Sequence, residues 1–210
     1  MIKEVMENKI NKNFDLIVNE IVNYFGNEYR KEIVERFKNV RISLVEDGVS
    51  YSVGKEEFYI GKEPICVKEE EGSHVIVPFS LFCDDRGNVI FVHGLLHAIG
   101  EECLVEDNKY TFNEVIVDYM ANEISKRLEK QKINITMVNN PVYESKSFYS
   151  TMFDKVEDFY ENYRKEIIDG RMGKKVTFEG VQQYIYKAEE IIDNVFLQSE
   201  SEEKVITKRR

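Results

Sequence analysis

The sequence contains few cysteines and no long hydrophobic run. Its three cysteines, Cys66, Cys83 and Cys103, are an odd number without a Cys-x-x-Cys pair, which is typical of reduced thiols in a cytosol. No segment approaches the ~20 apolar residues of a membrane span. The N-terminus MIKEVMENKINKNFDL is charged throughout and lacks the apolar core of a signal peptide. We therefore expect a cytoplasmic protein with no membrane association.

Positive charge is scarce relative to negative charge. The 210-residue chain carries 29 Lys and Arg against 39 Asp and Glu, for a net charge of −10. A protein that binds a nucleic-acid backbone needs a basic surface, so we expect no nucleic-acid partner. The chain is 42% hydrophobic, which is enough to build a substantial core in one large domain or two small ones.

The first part of the chain mixes helix and strand patterns. Apolar residues at mixed three- and four-residue spacing predict an amphipathic helix over residues 4 to 25, ending at Gly26, and a short helix over 28 to 38. Residues 40 to 79 contain short β-rich segments separated by Asp-Gly, Gly-Lys and Gly-Ser. These segments predict the hairpin strands of a small antiparallel sheet.

The rest of the chain has a helical pattern. We predict helices at residues 88 to 99, 111 to 130, 143 to 168 and 177 to 197. The fold class is therefore α+β, with a helix and a small antiparallel sheet in residues 1–86 and a mainly helical part in 87–198. We expect one domain over 1–198, followed by a flexible tail at 199–210.

Two histidines lie four residues apart in the apolar segment VIFVHGLLHAIG. Apart from His93, His97 and the side-chain-free Gly94, every residue from Val89 to Ile99 is apolar, which indicates a buried helix. Residues four apart share one helix face, and burying two imidazoles without partners costs free energy. A shared cation would satisfy both rings. The alternative is two core histidines bonded to backbone or carboxylate groups.

A pair of acids follows in FNEVIVDYMANEISKRL. Glu114 and Asp118 are four residues apart on one face of a predicted helix. Glu114 can complete a His-His-Glu ligand set, and Asp118 can accept the remaining ring N–H of a ligand histidine and orient that ring. The alternative is that both carboxylates are simply solvated.

The order HGLLHAIG then NEVIVDYMANEIS resembles the thermolysin-like zinc peptidases, the gluzincins, over about residues 75 to 130. Their pattern is H-E-x-x-H on one helix and N-E-x-x-x-D on the next. The resemblance implies a zincin-like domain with Zn²⁺ bound by His93, His97 and Glu114. Asp118 would accept a hydrogen bond from one of the ligand histidines. The resemblance also implies a peptide or protein substrate, held along SHVIVPF as an edge strand.

A second arrangement follows the metzincin pattern H-E-x-x-H-x-x-G-x-x-H. It would place Gly100 at the motif glycine, Cys103 as the third ligand, and Met137 near a later Met-turn. It departs from that motif twice and leaves the pair of acids on the next helix unexplained.

Gly94 stands where both motifs have glutamate. In these peptidases that glutamate moves a proton from water to the leaving amine, a role worth roughly a hundred- to ten-thousand-fold in rate. The protein is then a relative that binds a peptide without turnover, or an altered form of an active enzyme, or an enzyme with another base. Glu101 and Glu102 are the nearest acids in sequence, but they follow the expected helix end.

Three tyrosines are candidates to donate a hydrogen bond to a developing oxyanion, namely Tyr110, Tyr143 and Tyr149. The chain has 12 tyrosines, so each has a core role as its alternative. The third histidine, His74, is expected to face solvent or cap a strand rather than reach a metal.

The sequence thus leaves an enzyme and a binding protein as hypotheses. The first is a zinc metallopeptidase-like hydrolase that is weak or inactive because Gly94 replaces the general base. The second is a pseudoenzyme that binds a peptide or protein on the same scaffold. A third option is a metal-free helical interaction protein in which the histidine pair is incidental.

Overall fold

The computed structural model describes residues 2–101 and 110–176. Within these ranges the chain forms five α-helices and five β-strands, with short 3-10 turns between some of them. In chain order they are α1 (Ile2–Phe25), α2 (Arg30–Lys38), β1 (Val40–Val45), β2 (Ser50–Val53), β3 (Glu56–Tyr59), β4 (Ile65–Glu69), β5 (Gly72–Pro78), α3 (Gly87–Ile99), α4 (Tyr110–Lys130) and α5 (Phe153–Arg171). The predicted α+β class is confirmed.

The strands form a three-stranded sheet and a separate hairpin. The sheet order is β1-β5-β4, and β2 pairs only with β3. β4 is antiparallel to β5, but β1 is parallel to β5, with Val40 opposite Ser73. The prediction of a wholly antiparallel sheet is therefore wrong. Residues 46–71 form a connection long enough to bring the chain back beside β1 in the same direction.

The strand SHVIVPF is central, not at an edge, so this prediction is also wrong. β5 lies between β1 and β4, and it is buried from Ser73 to Pro78. Consecutive apolar side chains are typical of a strand covered on both faces. The edge of the sheet on the α3 side is β4, which contacts α3 together with β5.

Helix α3 lies in the middle of the main core, between the sheet and α4. Its apolar side chains are 0–2% exposed at Val89, Phe91, Val92, Leu95, Leu96 and Ile99. Each such side chain contributes about 1.5–3 kcal/mol when it is buried. The helix that carries both histidines is therefore held firmly on several sides.

The predicted helix at residues 143 to 168 begins ten residues late, at Phe153, after a 3-10 turn over Phe148–Met152. Tertiary hydrogen bonds hold the preceding segment out of the helix. The Val142 N–H donates to the Asp85 carbonyl, and the Ser145 N–H donates to the Asn122 side chain. These contacts come from residues distant in sequence, so periodicity does not report them.

The other predicted helices agree closely with the observed ones where the structure describes them. The predicted helix at 177 to 197, the domain limit at 198 and the tail at 199–210 lie outside the described residues. Cys66 and Cys83 are free thiols. None of the helices in the described part of the chain is long and apolar enough to cross a membrane.

Candidate metal centre

The two histidines lie side by side on the face of α3 that meets α4. Their ring centroids are 4.8 Å apart. Their side chains are 22% and 19% exposed, whereas most of the apolar residues of α3 are buried. This small exposed fraction opens into a cavity. The helix thus presents two imidazoles to the cavity while its other faces anchor it.

Helix α4 supplies the two acids that the sequence predicted. Val115, Ile116 and Val117 pack in the core at 0–1% exposure, which fixes the helix against α3. Glu114 and Asp118, four residues apart, then both face the His93 ring. The side chains that the sequence selected are therefore brought together.

Three side chains form a triangle through four ligand atoms, because each histidine approaches a different oxygen of Glu114. His93 Nε2 is 3.1 Å from His97 Nε2, and it is 3.2 Å from Glu114 Oε2. His97 Nε2 is 3.2 Å from Glu114 Oε1. In a tetrahedral zinc site with bonds of ~2.0–2.1 Å, neighbouring donor atoms lie about 3.3 Å apart. His93, His97 and Glu114 could thus hold a metal ion.

The triangle contains acceptors that face one another. Asp118 Oδ1 lies 3.5 Å from His93 Nδ1, so the proton of a neutral His93 ring belongs on Nδ1. Its Nε2 then carries a lone pair directed at the Glu114 carboxylate, which is also an acceptor. Such an arrangement is stable when a proton or a metal ion occupies the space between these atoms.

The electrostatics differ between the two rings. Burial alone would lower the pKa of His93, but hydrogen bonds with Asp118 and Glu114 outweigh burial and raise it to about 9. Burial dominates at His97 and lowers its pKa. The pKa of the Glu114 carboxyl is far below its usual value, because the two histidines outweigh the effect of burial. Glu114 is therefore ionised, as a ligand must be.

Two serines that the sequence reasoning missed hold Asp118 in place. Ser145 Oγ donates to Asp118 Oδ2 at 2.7 Å, and Ser147 Oγ donates to the same oxygen at 2.5 Å. With the His93 contact, these bonds lower the pKa of Asp118 despite its burial. Ser147 also caps the 3-10 turn that follows it. A serine just before an aromatic helical segment was the available signal.

The centre lies in a cavity of about 1020 Å³. The cavity is bounded by β4, α3, α4 and the segment over residues 145–149, which precedes α5. This volume is at the upper end of the range usual for ligand sites. The loop before β4 and the strand itself form one wall, with Glu63, Pro64, Ile65, Cys66 and Lys68. An edge strand therefore runs beside the metal centre.

Gly94 also lines this cavity. A Cβ atom at this position would lie 3.4 Å from Pro64 Cβ and 3.6 Å from Val75 Cγ1. These are ordinary contacts with side chains, so no backbone or other close approach demands glycine here. Glycine inside a helix costs about 1 kcal/mol of stability relative to alanine. The described residues give no steric reason for glycine at this position.

The three candidate tyrosines have different locations. Tyr143 is buried and donates to the Ile133 carbonyl at 2.8 Å, and it is not among the residues that line the cavity. Tyr149 does line the cavity. The side chain of Tyr110 lies outside what the structure describes. Tyr149 is therefore the tyrosine placed to meet a ligand.

Other residues from the sequence analysis lie apart from the triangle. Glu101 lines the cavity beyond the end of α3, with its carboxylate 3.5 Å from Arg36. His74 is 1% exposed and contacts Ser43 Oγ at 2.8 Å. The expectation that His74 faces solvent is wrong, because it lies on the central strand. Glu102 and Cys103 lie outside the described residues, so the metzincin alternative stays untested.

Comparisons of the chain with protein-family models, curated proteins and solved structures found no match. The resemblance to gluzincins thus remains a prediction from the sequence.

Proposed function

We propose that this protein is a zinc-binding, metallopeptidase-like protein that holds an extended peptide beside its metal centre, with hydrolysis weakened by the loss of the motif glutamate. The observation that carries the proposal is the 3.1–3.2 Å triangle of His93, His97 and Glu114. Two imidazoles and one carboxylate are a ligand set of catalytic zinc sites.

The roles of the surrounding residues follow from their contacts. Asp118 orients the His93 ring through Nδ1, and Ser145 and Ser147 orient Asp118. A bound zinc ion supplies Lewis acidity, which lowers the pKa of a water molecule and polarises a carbonyl. Tyr149 lines the same cavity and can donate to an oxyanion there.

The peptide in this proposal pairs with β4 rather than with SHVIVPF. β4 has one side paired with β5, and its residues Ile65, Cys66 and Lys68 line the cavity. A strand with an open edge can receive an extended peptide through backbone hydrogen bonds. Peptides with N-methylated backbone amides should then bind more weakly than their unmethylated counterparts, as measured by fluorescence anisotropy.

Gly94 favours a second candidate, a pseudoenzyme that binds the same class of peptide without cleaving it. Glycine cannot take a proton from water or return it to an amine. The loss of such help lowers a rate roughly a hundred- to ten-thousand-fold. Because a Cβ atom fits at position 94, a Gly94→Glu variant separates the two candidates. The variant should cleave peptide in either case, and the unmodified chain should show slow cleavage only if it is an enzyme.

Metal content is the first test. The purified protein should contain close to one zinc per chain by elemental analysis, and His97→Ala should lose it. His74→Ala is the matched control, because His74 is a buried histidine away from the centre, and it should keep its zinc. A zinc-free protein whose stability does not change on adding zinc or chelator would favour the metal-free interaction protein.

A further inference from the structure

Four carboxylates of the described residues line the cavity, and they differ in what they contact. They are Glu63, Glu101, Glu114 and Asp118. A proton acceptor for hydrolysis has to be a group that is not already bound to a cation or to several donors. The contacts of each carboxylate therefore decide which of them can replace the missing glutamate.

Three of the four carboxylates already have hydrogen-bonding or charged partners. Glu114 faces both histidines of the metal centre. Asp118 accepts hydrogen bonds from two serine hydroxyls and contacts the His93 ring. Glu101 lies at the far end of α3, where its carboxylate meets the Arg36 guanidinium and its backbone N–H donates to the Arg171 carbonyl.

Glu63 is different. It is exposed at the cavity wall, and no hydrogen bond or ion pair within 4 Å joins its carboxylate to another residue in the described ranges. The next residue, Pro64, is the one that lies over Gly94, 3.4 Å from where a Cβ atom would be. The loop before β4 thus brings Glu63 into the cavity wall, next in the chain to the residue that covers position 94.

Tyr149 provides an independent indication of where this charge acts. Burial raises the pKa of the Tyr149 hydroxyl, and the negative charges of Glu114, Glu63 and Asp118 raise it further. Glu63 therefore acts on the same hydroxyl as the two acids of the metal centre. It also acts on the pKa of Arg86, which lines the cavity as well.

We propose that Glu63, supplied by the loop before β4, is the proton acceptor of this site in place of the glutamate absent at position 94. The inference rests on the proposed hydrolytic function. A water molecule loses a proton to the Glu63 carboxylate as its oxygen bonds to the peptide carbonyl carbon. The carbon–nitrogen bond then breaks as the same proton passes to the leaving nitrogen. The products are an acid and an amine, and Glu63 ends as it began.

The first experiment compares peptide cleavage by zinc-loaded wild-type protein, Glu63→Gln and Glu57→Gln. Glu63→Gln should lower the cleavage rate about a hundredfold or more while zinc content and peptide binding stay unchanged. Glu57→Gln, which removes an exposed carboxylate of β3 that does not line the cavity, should keep the wild-type rate. Equal rates for wild type and Glu63→Gln would overturn the inference.

The double variant Gly94→Glu/Glu63→Gln sharpens this test. With a glutamate on α3, the base at position 63 becomes redundant, so the hundredfold effect of Glu63→Gln should shrink to less than about threefold. If Glu63→Gln is equally harmful in both backgrounds, Glu63 has another role and the proposal fails.

A stability measurement, which needs no peptide cleavage, tests whether position 94 and Glu63 lie close together. In the metal-free protein at low salt, Gly94→Glu places a second carboxylate near Glu63, and this repulsion should lower the denaturation midpoint. Adding Glu63→Gln should restore part of that shift, whereas Glu57→Gln should restore none. No restoration by Glu63→Gln would contradict the inference. Wild-type protein that holds zinc and binds peptide but cleaves none would also contradict it while leaving the binding role intact, and a protein without zinc would overturn the proposed function itself.

Discussion

The molecule has two polar clusters built from similar groups, and they are satisfied in different ways. Around Asp169, the carboxylate accepts hydrogen bonds from Tyr29, Lys165 and Lys174. Every contact there joins an acceptor to a donor. In the cluster of His93, His97 and Glu114, one ligand atom from each residue lies within 4.8 Å of the others. When the His93 ring is neutral, its Nε2 and the Glu114 carboxylate face each other as two acceptors. The first cluster is complete as protein alone, whereas the second requires a proton or a metal ion.

The two clusters also differ in how far their side chains are exposed to water. The Lys165 and Lys174 side chains are 79% and 53% exposed, so water screens their pairs with Asp169. The histidines and Glu114 have side chains 11–22% exposed, and water replaces a lost partner there less readily. A deficit of donors at a screened site has little cost, but in the cluster of His93, His97 and Glu114 a proton or a metal ion has to make up for it.

The largest expected effect is the response to zinc. Adding zinc to a thousandfold excess over its dissociation constant should raise the free energy of unfolding by about 4 kcal/mol, because zinc binds the folded centre. Denaturant unfolding of chelator-treated protein, with and without zinc, measures this change. Asp169→Asn should respond as the wild type does, and His97→Ala should respond weakly. An equal response in all three proteins would mean that zinc binds elsewhere.

Next is the pH dependence of the metal-free protein. The pKa of His93 is about 9 in the folded chain and about 6.5 in an unfolded one. A raised pKa gives stability that is fully present below pH ~6.5 and is lost as the pH rises through 9. The free energy of unfolding should therefore fall by up to about 3 kcal/mol across this window, as measured by denaturant unfolding with chelator present.

Zinc affinity should have the opposite pH dependence over the same window. Ligation requires a neutral imidazole at His93, so affinity should rise as the pH approaches 9. Titration with zinc at several pH values measures it. Zinc affinity that falls with rising pH would exclude His93 as a ligand.

A smaller effect is expected from Asp118→Asn. Loss of the carboxylate that orients His93 should weaken zinc binding about 10- to 100-fold without abolishing it. Ser145→Ala and Ser147→Ala should each weaken zinc binding less, because they act through Asp118. Isothermal titration calorimetry measures these affinities. An unchanged zinc affinity in Asp118→Asn would show that the His93 ring is held by its packing alone.

The smallest effect is expected at the other cluster. Asp169→Asn should lower the free energy of unfolding by about 1 kcal/mol, and added salt should reduce the difference because the lysine partners are exposed. Zinc affinity should not change. If Asp169→Asn weakened zinc binding, the two clusters would be coupled and the contrast between them would be wrong.

Local periodicity was a good guide to the elements that carry the centre. The buried helix with His93 and His97 and the following helix with Glu114 and Asp118 were both predicted within one residue of their observed limits. Helix faces are set by a regular repeat, so spacing of four residues predicts which side chains align. The sequence supported the hypothesis that these two helix faces meet, through ligand chemistry and through the resemblance. The packing of α3 on α4 is what brings the four side chains together.

Predictions that depended on partners distant in sequence were less successful. The parallel pairing of β1 with β5, the central place of β5 and the late start of α5 all arise from long-range contacts. Tyr143 was selected by residue type, and its hydroxyl is used by the Ile133 carbonyl. Ser145 and Ser147 were not selected, because nothing in their spacing points to Asp118.

The sequence by itself determined which residues could bind a metal and that glycine stands where a base is expected. Spacing along one helix is a local property, and residue type sets ligand chemistry. Only the tertiary structure decided that each ligand atom of the centre lies within 3.2 Å of another, and that β4 lines the cavity. It also decided that Glu63 lines the cavity with no hydrogen bond or ion pair in the described residues. Those properties depend on how separate elements pack, and packing is set by contacts among residues far apart in the chain.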